Sequence, residues 1–152
     1  MINSYLSRQI TQNFPHNPTE DQFSALKTLT DFLLSTESDT LLLLKGYAGT
    51  GKTSLVGALV KTLNELKQKT VLLAPTGRAA KVFSNYSGQK AFTIHKKIYR
   101  QKAFSNEPTG FMPADNLHKD TLFIVDEASM ISNDGIDSIS FGTGRLLDDL
   151  IQ

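Results

Sequence analysis

The chain has 152 residues, of which 39% are hydrophobic and 20% are charged, and its formal net charge at pH 7 is +1. This length corresponds to one domain, and the composition is that of an ordinary globular protein rather than a disordered or fibrous one. The longest apolar run is the leucine stretch at 41–44, far shorter than the roughly 20 residues of a membrane span, and cysteine is absent. We therefore expect a cytoplasmic protein without disulfides, thiolate metal sites or contact with a membrane.

Positive charge is concentrated in the middle of the chain. Residues 61–102 contain ten basic side chains and one acidic side chain, whereas residues 103–152 contain two basic and nine acidic ones. Solvated helix faces account for Lys61, Lys67 and Lys69. Five further basic residues follow predicted strand ends, where a parallel sheet presents its ligands, so a phosphate-rich polymer is a reasonable partner for them. They are Arg78, Lys81, Lys96, Lys97 and Arg100.

Two helices are predicted near the N-terminus. An amphipathic stretch at 4–12 ends before Pro15, and a second helix begins at Thr19. Apolar residues at helical spacing give the second helix a stripe that we expect to be buried. The stripe consists of Phe23, Leu26, Leu29, Leu33 and Leu34.

Gln22 has two interpretations. The tetrapeptide Thr19-Glu20-Asp21-Gln22 matches the capping-box pattern, in which the Gln22 side chain accepts a hydrogen bond from a backbone N–H at the helix start. Alternatively, Gln22 bonds the edge of an adenine base, from a segment that comes just before the predicted phosphate-binding unit. The residues themselves leave both roles open.

A strand, a loop and a helix follow one another without interruption. Residues 41–45 predict a buried strand, and residues 46–53 form a glycine loop that satisfies G-x-x-x-x-G-K-[ST]. The helix after it is expected to bury one face, formed by Leu55, Leu59, Leu63 and Leu66. Because the pattern lies between a predicted strand and a predicted helix, it indicates a binding site for a nucleoside triphosphate.

The chemistry of the glycine loop assigns roles to its residues. Glycines let the backbone wrap a phosphate, while successive N–H groups and the helix N-terminus donate to its oxygens. Lys52 is expected to reach the β- and γ-phosphates of ATP, and Thr53 to offer its hydroxyl to Mg²⁺, which prefers oxygen ligands. The candidate nucleotide contacts are Gly46, Ala48, Gly49, Thr50, Gly51, Lys52, Thr53 and Ser54.

The rest of the chain predicts alternating short strands and helices. In order, these are a strand at 71–74, a helix at 78–83, a short helix at 93–99, an inserted loop or small hairpin at 101–119, a strand at 121–125, a polar connection at 132–144 and a helix at 145–151. The expected fold class is therefore α/β, with a parallel sheet flanked by helices in one domain spanning 1–152.

Two carboxylates end the strand at 121–125. Asp126 and Glu127 follow an apolar run at the edge where parallel sheets bind ligands. Asp126 would hold Mg²⁺, and Glu127 would act as the general base or would position the attacking water beside the γ-phosphate. A cluster of acids at a helix N-terminus is the alternative, and the glycine loop upstream favours the catalytic role.

Five motifs in fixed order carry a family resemblance. They are TEDQ at 19–22, GYAGTGKTS at 46–54, APTGRAA at 74–80, TIH at 93–95 and VDEASM at 125–130. The set resembles the first RecA-like motor domain of superfamily 1 DNA helicases, particularly the RecD-like and Dda-like group. The resemblance implies a RecA-like fold of the P-loop NTPases, ATP hydrolysis with Mg²⁺, and movement 5′ to 3′ along single-stranded DNA. It also implies that Gln22 reads adenine.

The same resemblance implies contacts with DNA. Thr76, Gly77 and Arg78 match a motif that touches the DNA backbone, and Thr93 with His95 matches the next motif along the chain. Hydroxyl, amide and guanidinium groups grip phosphates without reading sequence, as a translocating motor requires. Without the resemblance, Thr76 would be an ordinary helix N-cap.

The chain also departs from the family pattern. Complete helicases of this group carry a second motor domain that supplies an arginine to the ATP site, and a sensor motif on a further strand, and neither is found in 1–152. We therefore expect a truncated domain with an exposed strand edge that could pair with another copy. Because such an arginine contributes about 10³ to 10⁵ in rate, hydrolysis by this chain alone should be slow or undetectable.

Two other classes of function stay open at this point. The chain could be a different P-loop enzyme, such as a small-molecule kinase or a GTPase-like switch, or a nucleotide-dependent binding module without catalysis. No Asn-Lys-x-Asp guanine motif is present. An Asp-Glu pair after a strand suits hydrolysis better than transfer to a small substrate, so an ATP-dependent helicase is preferred.

Overall fold

The computed structural model describes residues 2–101, 110–133, 140–143 and 145–152. These residues fall into two compact units. The N-terminal unit comprises Met1–Gln68 and Tyr86–Gly88, and the sheet unit comprises Lys69–Asn85 and Gln89–Gln152. Each unit is described by itself.

Three helices build the N-terminal unit: α1 (Ile2–Gln12), α2 (Glu20–Leu34) and α3 (Lys52–Glu65). Helix α1 packs against both α2 and α3, and it buries Leu6 and Ile10. The Asn13 amide, just past α1, donates to the Thr62 hydroxyl of α3 over 2.9 Å. The helices predicted at 4–12 and from Thr19 are thus confirmed, and polar bonds as well as apolar contacts hold them together.

The buried face of α2 is narrower than predicted, whereas α3 also buries Ala58, Val60 and Thr62. On α2, the buried positions are Gln22, Leu26 and Thr30, which lie four residues apart on one line. Phe23 falls outside this line and is exposed, whereas Leu34 lies on the line but is the last residue of the helix and is also exposed. On α3, Leu55, Leu59 and Leu63 are buried as expected. Leu66 is the C-cap and is 45% exposed, because the helix ends at Glu65 before that side chain can join the face.

The strand predicted at 41–45 is wrong. Residues 40–47 have no regular secondary structure, and the side chains of Leu41 and Leu43 are 80% and 60% exposed. A strand requires a hydrogen-bonded neighbour, and the described elements of the N-terminal unit are helices only. An apolar run without a ladder partner in its own unit cannot form a strand there.

The sheet unit contains a parallel three-stranded sheet. Its strands are β1 (Lys69–Ala74), β2 (Ala91–Thr93) and β5 (Thr121–Val125), in the order β2-β1-β5. Helix α4 (Gly77–Ser87) follows β1, and the short helix α5 (Ile94–Ile98) follows β2. Strand β1 is central, and Leu72 and Leu73, on its opposite faces, are both fully buried. The α/β class and the parallel sheet flanked by helices are confirmed.

A second, smaller sheet lies in the same unit. Strand β3 (Tyr99–Gln101) pairs antiparallel with β4 (Gly110–Pro113), and β4 pairs parallel with β6 (Ser140–Phe141). A single 3₁₀ turn at Ala128–Met130 follows β5, and helix α6 (Leu146–Ile151) ends the chain. The predicted insertion at 101–119 includes residues 102–109, and the predicted connection at 132–144 includes 134–139 and 144. Those residues lie outside the described part.

One apolar cluster connects the two sheets of this unit. Val71 and Leu73 of β1 meet Ile94, Tyr99 and Leu146, with Phe111 of β4 packed against them. Tyr99 is 7% exposed and belongs to this core. Across the ranges described above, no helix combines the length and apolar character that a membrane crossing needs.

Candidate functional site

The glycine loop leads directly into α3. Gly49 and Gly51 have positive φ angles of 81° and 88°, which glycine adopts without steric cost. Gly51 is the N-cap of α3 and provides no side-chain cap for the first-turn amides. Because the first N–H groups of a helix have no intrahelical acceptor and carry the positive end of its dipole, this terminus suits an anion.

Lys52 points its ammonium group into the loop. The Nζ atom donates to the carbonyl oxygens of Gly46 and Tyr47, the latter over 2.9 Å. Thr50 also donates its hydroxyl to the Tyr47 oxygen, over 2.7 Å, and a side chain at Gly46 would collide with that hydroxyl. The Lys52 ammonium is thus held by two backbone carbonyls of the loop. In a complex with phosphate, the phosphate oxygens would replace these carbonyls as acceptors for the ammonium.

The remaining loop residues are accessible. Ala48, Gly49 and Thr50 are exposed, Ser54 is half-buried, and the exposed Thr53 lies in the first turn of α3. Thr53 belongs to the N-terminal unit, whereas Asp126 belongs to the sheet unit. The Mg²⁺ site predicted from this pair therefore stays a prediction.

Gln22 forms the predicted capping box. Its backbone N–H donates to the Thr19 hydroxyl over 3.2 Å, and its side-chain Oε1 accepts from the Thr19 N–H over 2.9 Å. Its Nε2 additionally donates to the Gly51 carbonyl over 3.2 Å. The capping interpretation is confirmed, the adenine contact stays a prediction, and the bond to Gly51 is a contact that the sequence did not indicate.

Asp126 and Glu127 leave the end of β5 in a tight turn. The Asp126 N–H donates to the Leu73 carbonyl over 3.0 Å, which extends the pairing with β1 by one residue. The Glu127 N–H then donates to Asp126 Oδ1 over 2.9 Å. Glu127 has φ 55° and ψ 38°, a left-handed conformation that costs a residue with a side chain on the order of 1 kcal/mol. This turn directs the chain away from the sheet immediately after the two acids.

A cleft of about 250 Å³ lies at the carboxyl edge of the parallel sheet. Leu73 of β1 is in register with Val125 of β5, so the segments that follow these strands are neighbours. One side of the cleft comes from residues after β1 and on α4, and the other from residues after β5. The lining residues are Thr76, Arg78, Ala79, Val82, Asp126, Glu127 and Met130.

The cleft brings together two motifs that lie far apart in the sequence. Arg78, from the predicted DNA motif, shares it with Asp126 and Glu127, from the predicted nucleotide motif. Its apolar part comes from Val82 and Met130, which are 54% and 55% exposed. Neither residue was predicted from the sequence as part of a site. Met130 could have been found as the last residue of VDEASM, whereas no signal in the sequence marks Val82.

Thr76 and Thr93 are both helix N-caps. The Thr76 hydroxyl accepts from the Ala79 N–H over 3.1 Å, and the Thr93 hydroxyl accepts from the Lys96 N–H over 3.2 Å. Gly77 is the first residue of α4. Because a hydroxyl that accepts one bond retains its own hydrogen, both groups can still donate to a phosphate oxygen.

The second DNA motif lies one strand along from the first. Ala74 of β1 is in register with Thr93 of β2, so both motifs begin at the same edge of the sheet. His95, in the first turn of α5, is half-buried with its ring centroid 5.7 Å from that of Tyr99. Lys90 and Lys97 lie over the Phe92 ring, at 5.2 and 5.1 Å from its centroid. Lys97, on α5, therefore places a basic group beside the second motif.

Tyr99 and Asp149 form a buried hydrogen-bonded pair and are not among the predicted site residues. Tyr99 donates its phenol hydrogen to Asp149 Oδ2 over 2.5 Å, and Thr143 donates its N–H and its hydroxyl to the same carboxylate. Burial of Asp149 opposes ionisation, but these hydrogen bonds hold the pKa of its carboxyl below the ordinary value. Burial, and then the bond to Asp149 and its charge, raise the pKa of the Tyr99 phenol. The pair ties α6 to β3.

Residues 19–140 match the family described as "AAA domain". Over 94 residues the chain is 33% identical to the ATP-dependent RecD2 DNA helicase of Deinococcus radiodurans, a match that covers 61% of this chain and 12% of that protein. No solved structure matches. Because the family match covers most of its length, the chain belongs to the AAA domain family, and its resemblance to the RecD-like superfamily 1 helicases is confirmed.

Proposed function

We propose that the chain binds ATP with Mg²⁺ and serves in a DNA helicase that moves 5′ to 3′ along single-stranded DNA. The observation that carries the proposal is the cleft at the sheet edge, in which Arg78 lies with Asp126 and Glu127. A motor must couple nucleotide chemistry to its grip on DNA, and groups suited to the two tasks adjoin each other there.

The nucleotide roles follow from the chemistry of the groups. The first-turn amides of α3 and the Lys52 ammonium would hold the triphosphate. The Thr53 hydroxyl and the Asp126 carboxylate are oxygen donors of the kind that Mg²⁺ prefers, so they fit the ion, which when bound would neutralise charge on the phosphates. Glu127, exposed at the rim of the cleft, would accept a proton from the attacking water or orient it.

The DNA roles rest on the sheet edge. Thr76, Gly77 and Arg78 would contact one stretch of the DNA backbone, and Thr93 with His95 the next, through hydroxyl, amide and charged groups. RecD2 is described as a DNA helicase, which supports single-stranded DNA as the polymer. The family resemblance further implies a second motor domain that supplies an arginine to the ATP site.

Arg78→Ala tests the DNA assignment. We expect weaker binding of a single-stranded oligonucleotide and a salt dependence, log K against log salt, that is shallower by about 0.7, because one phosphate contact is lost. Arg8→Ala is the matched control, since Arg8 is an exposed arginine of α1 outside both motifs. Fluorescence anisotropy at several salt concentrations measures both quantities. Unchanged affinity and slope in Arg78→Ala would remove the sheet edge from the DNA site.

The reaction class is tested by turnover. The ATPase rate of the complete gene product is measured with and without single-stranded DNA. Stimulation by DNA supports the helicase, transfer of phosphate to a specific small molecule would support a kinase, and binding without turnover would support a nucleotide-dependent module.

We also propose that the isolated chain self-associates through the edge of its parallel sheet. Among the described strands, β5 pairs on one side only, with β1, and its Phe123 is 37% exposed. Such an edge can pair with another copy. Sedimentation at increasing concentrations should reveal a dimer that Phe123→Lys weakens, because a charge on an edge strand opposes pairing. A monomer at every concentration would exclude this contact.

A further inference from the structure

Two lysines share one aromatic ring at an outer strand of the parallel sheet. Lys90 comes directly before β2, Lys97 lies on α5 after it, and their Nζ atoms are 5.2 and 5.1 Å from the centroid of the Phe92 ring. The two ammonium groups are therefore no farther apart than the sum of these distances. The ring is held in place, because Phe92 is half-buried and packs against the core of this unit. We call Lys90, Phe92 and Lys97 the lysine cluster.

The lysine cluster concentrates positive charge. Within the described ranges, neither ammonium group forms an ion pair with a carboxylate. The sequence contains no acidic residue between Glu65 and Glu107, so both lysines belong to a stretch whose charged side chains are all basic. Two like charges beside one ring repel each other, and attraction to the π face offsets this only in part. An anion within reach of both groups would therefore bind favourably.

The cluster adjoins the second predicted DNA motif. Thr93 ends β2, and Lys97 follows His95 by two residues. Because a strand rises about 3.3 Å per residue, Lys90 lies roughly 10 Å back along the chain from Thr93. Among the described strands, β2 pairs on one side only, with β1. The cluster thus extends the row of DNA-binding groups proposed above along an outer strand of the sheet.

We propose that the lysine cluster is a further contact for the phosphate backbone of single-stranded DNA, which would continue from Thr93 and His95 along β2. This inference rests on the proposed DNA binding and adds residues outside both motifs. Ammonium groups bind phosphates as point charges and do not read sequence, as a translocating motor requires. The Phe92 ring restrains both groups before the polymer arrives, so less side-chain freedom is lost on binding.

The test replaces both lysines of the cluster with glutamine, which keeps side chains of similar length and polarity and removes their charge. The matched control is the double variant Lys61→Gln with Lys119→Gln, in which two exposed lysines are lost and the net charge is the same. Lys119 comes shortly before β5, the strand on the other side of β1 from β2. Fluorescence anisotropy with a labelled oligothymidylate measures affinity and salt dependence on the whole chain, and circular dichroism verifies folding.

We expect Lys90→Gln with Lys97→Gln to make the plot of log K against log salt shallower by about 1.4, because two phosphate contacts on a single strand are lost. The same loss lowers affinity at about 0.1 M salt on the order of 20-fold. Arginine at both positions should restore both quantities, because it retains the charge and the attraction to the ring. The control variant should bind like the unmodified chain.

Two results would overturn the inference. Equal losses in the cluster variant and the control would show that net charge alone is responsible. Unchanged affinity and slope in the cluster variant would show that the lysines only oppose pairing of the outer strand with another chain. If Arg78→Ala still weakened binding in that second case, the proposed DNA function would stand without this contact. If the unmodified chain bound no oligonucleotide, both proposals would fail.

Chemical protection provides a readout that requires no substitution. Acetic anhydride modifies accessible lysine amines, and mass spectrometry measures the extent of acetylation at each position. Bound oligothymidylate should slow the acetylation of Lys90 and Lys97 several-fold and leave that of Lys119 unchanged. Acetylation of Lys90 and Lys97 at the same rate with and without the oligonucleotide would contradict the contact.

Discussion

Replacing Lys52 with alanine is expected to weaken ATP binding, measured by isothermal titration calorimetry, by about 100-fold or more. The ammonium would form charge-assisted hydrogen bonds with the phosphates, each contributing about 1.5–3 kcal/mol. It also donates to the Gly46 and Tyr47 carbonyls, so its removal takes away a group that holds the loop in shape.

Lys61→Ala is the matched control for this experiment. Lys61 lies on the same helix, carries the same charge and is exposed, but it is far along α3 from the glycine loop. Its replacement should leave ATP affinity unchanged while circular dichroism verifies that both variants are folded. If Lys52→Ala bound ATP within twofold of the unmodified chain, the glycine loop would not be the triphosphate site.

Replacing Asp149 with alanine is expected to lower the free energy of unfolding at pH 7 by about 3 kcal/mol. The carboxylate is 7% exposed and accepts three hydrogen bonds, from Tyr99 and twice from Thr143. Its loss leaves the buried Tyr99 hydroxyl without its acceptor, which costs more than the bond itself contributed. Asp148→Ala is the control, because Asp148 is 48% exposed and its ion pair with Arg145 lies at the surface.

The same pair predicts how stability depends on pH. The pKa of Asp149 in the folded chain is below the value of about 3.9 for an unfolded aspartate, so its contribution is complete above that pH and is lost as the pH falls through the folded pKa. The pKa of Tyr99 is raised above about 10, so its contribution is complete below pH 10 and is lost at higher pH.

Urea unfolding followed by circular dichroism at pH 3, 7 and 11 measures the loss of stability at both low and high pH. The unmodified chain should be most stable near neutral pH, and Asp149→Ala should lose less stability than the unmodified chain between pH 7 and pH 3. If the free energy of unfolding fell equally in the two proteins between pH 7 and pH 3, protonation of Asp149 would not contribute to the acid destabilisation.

Structures that depend on neighbouring residues could be predicted well. The capping box of Thr19 and Gln22, the helix after Thr93 and the strand before Asp126 all match the sequence expectations. In each case the deciding hydrogen bonds or apolar spacing lie within a few residues of one another. The motifs that carry the family resemblance are likewise short and local.

Predictions that needed a distant partner were less successful. The leucines at 41–44 have the composition of a buried strand, yet they are mostly exposed, because strand formation depends on a ladder partner that no local pattern reveals. Phe23 fits a helical apolar stripe but is exposed, because only the packing against α1 decides which line of α2 is buried.

The sequence by itself determined the fold class, the glycine loop and the two carboxylates after β5, because fixed residue types at fixed spacing specify these features. Only the tertiary structure decided that Arg78 shares a cleft with Asp126 and Glu127, and that Gln22 bonds Gly51. Both depend on which strand and which helix become neighbours in space. Strand register and helix packing set those choices through contacts between residues far apart in the chain, and periodicity within one element does not encode them.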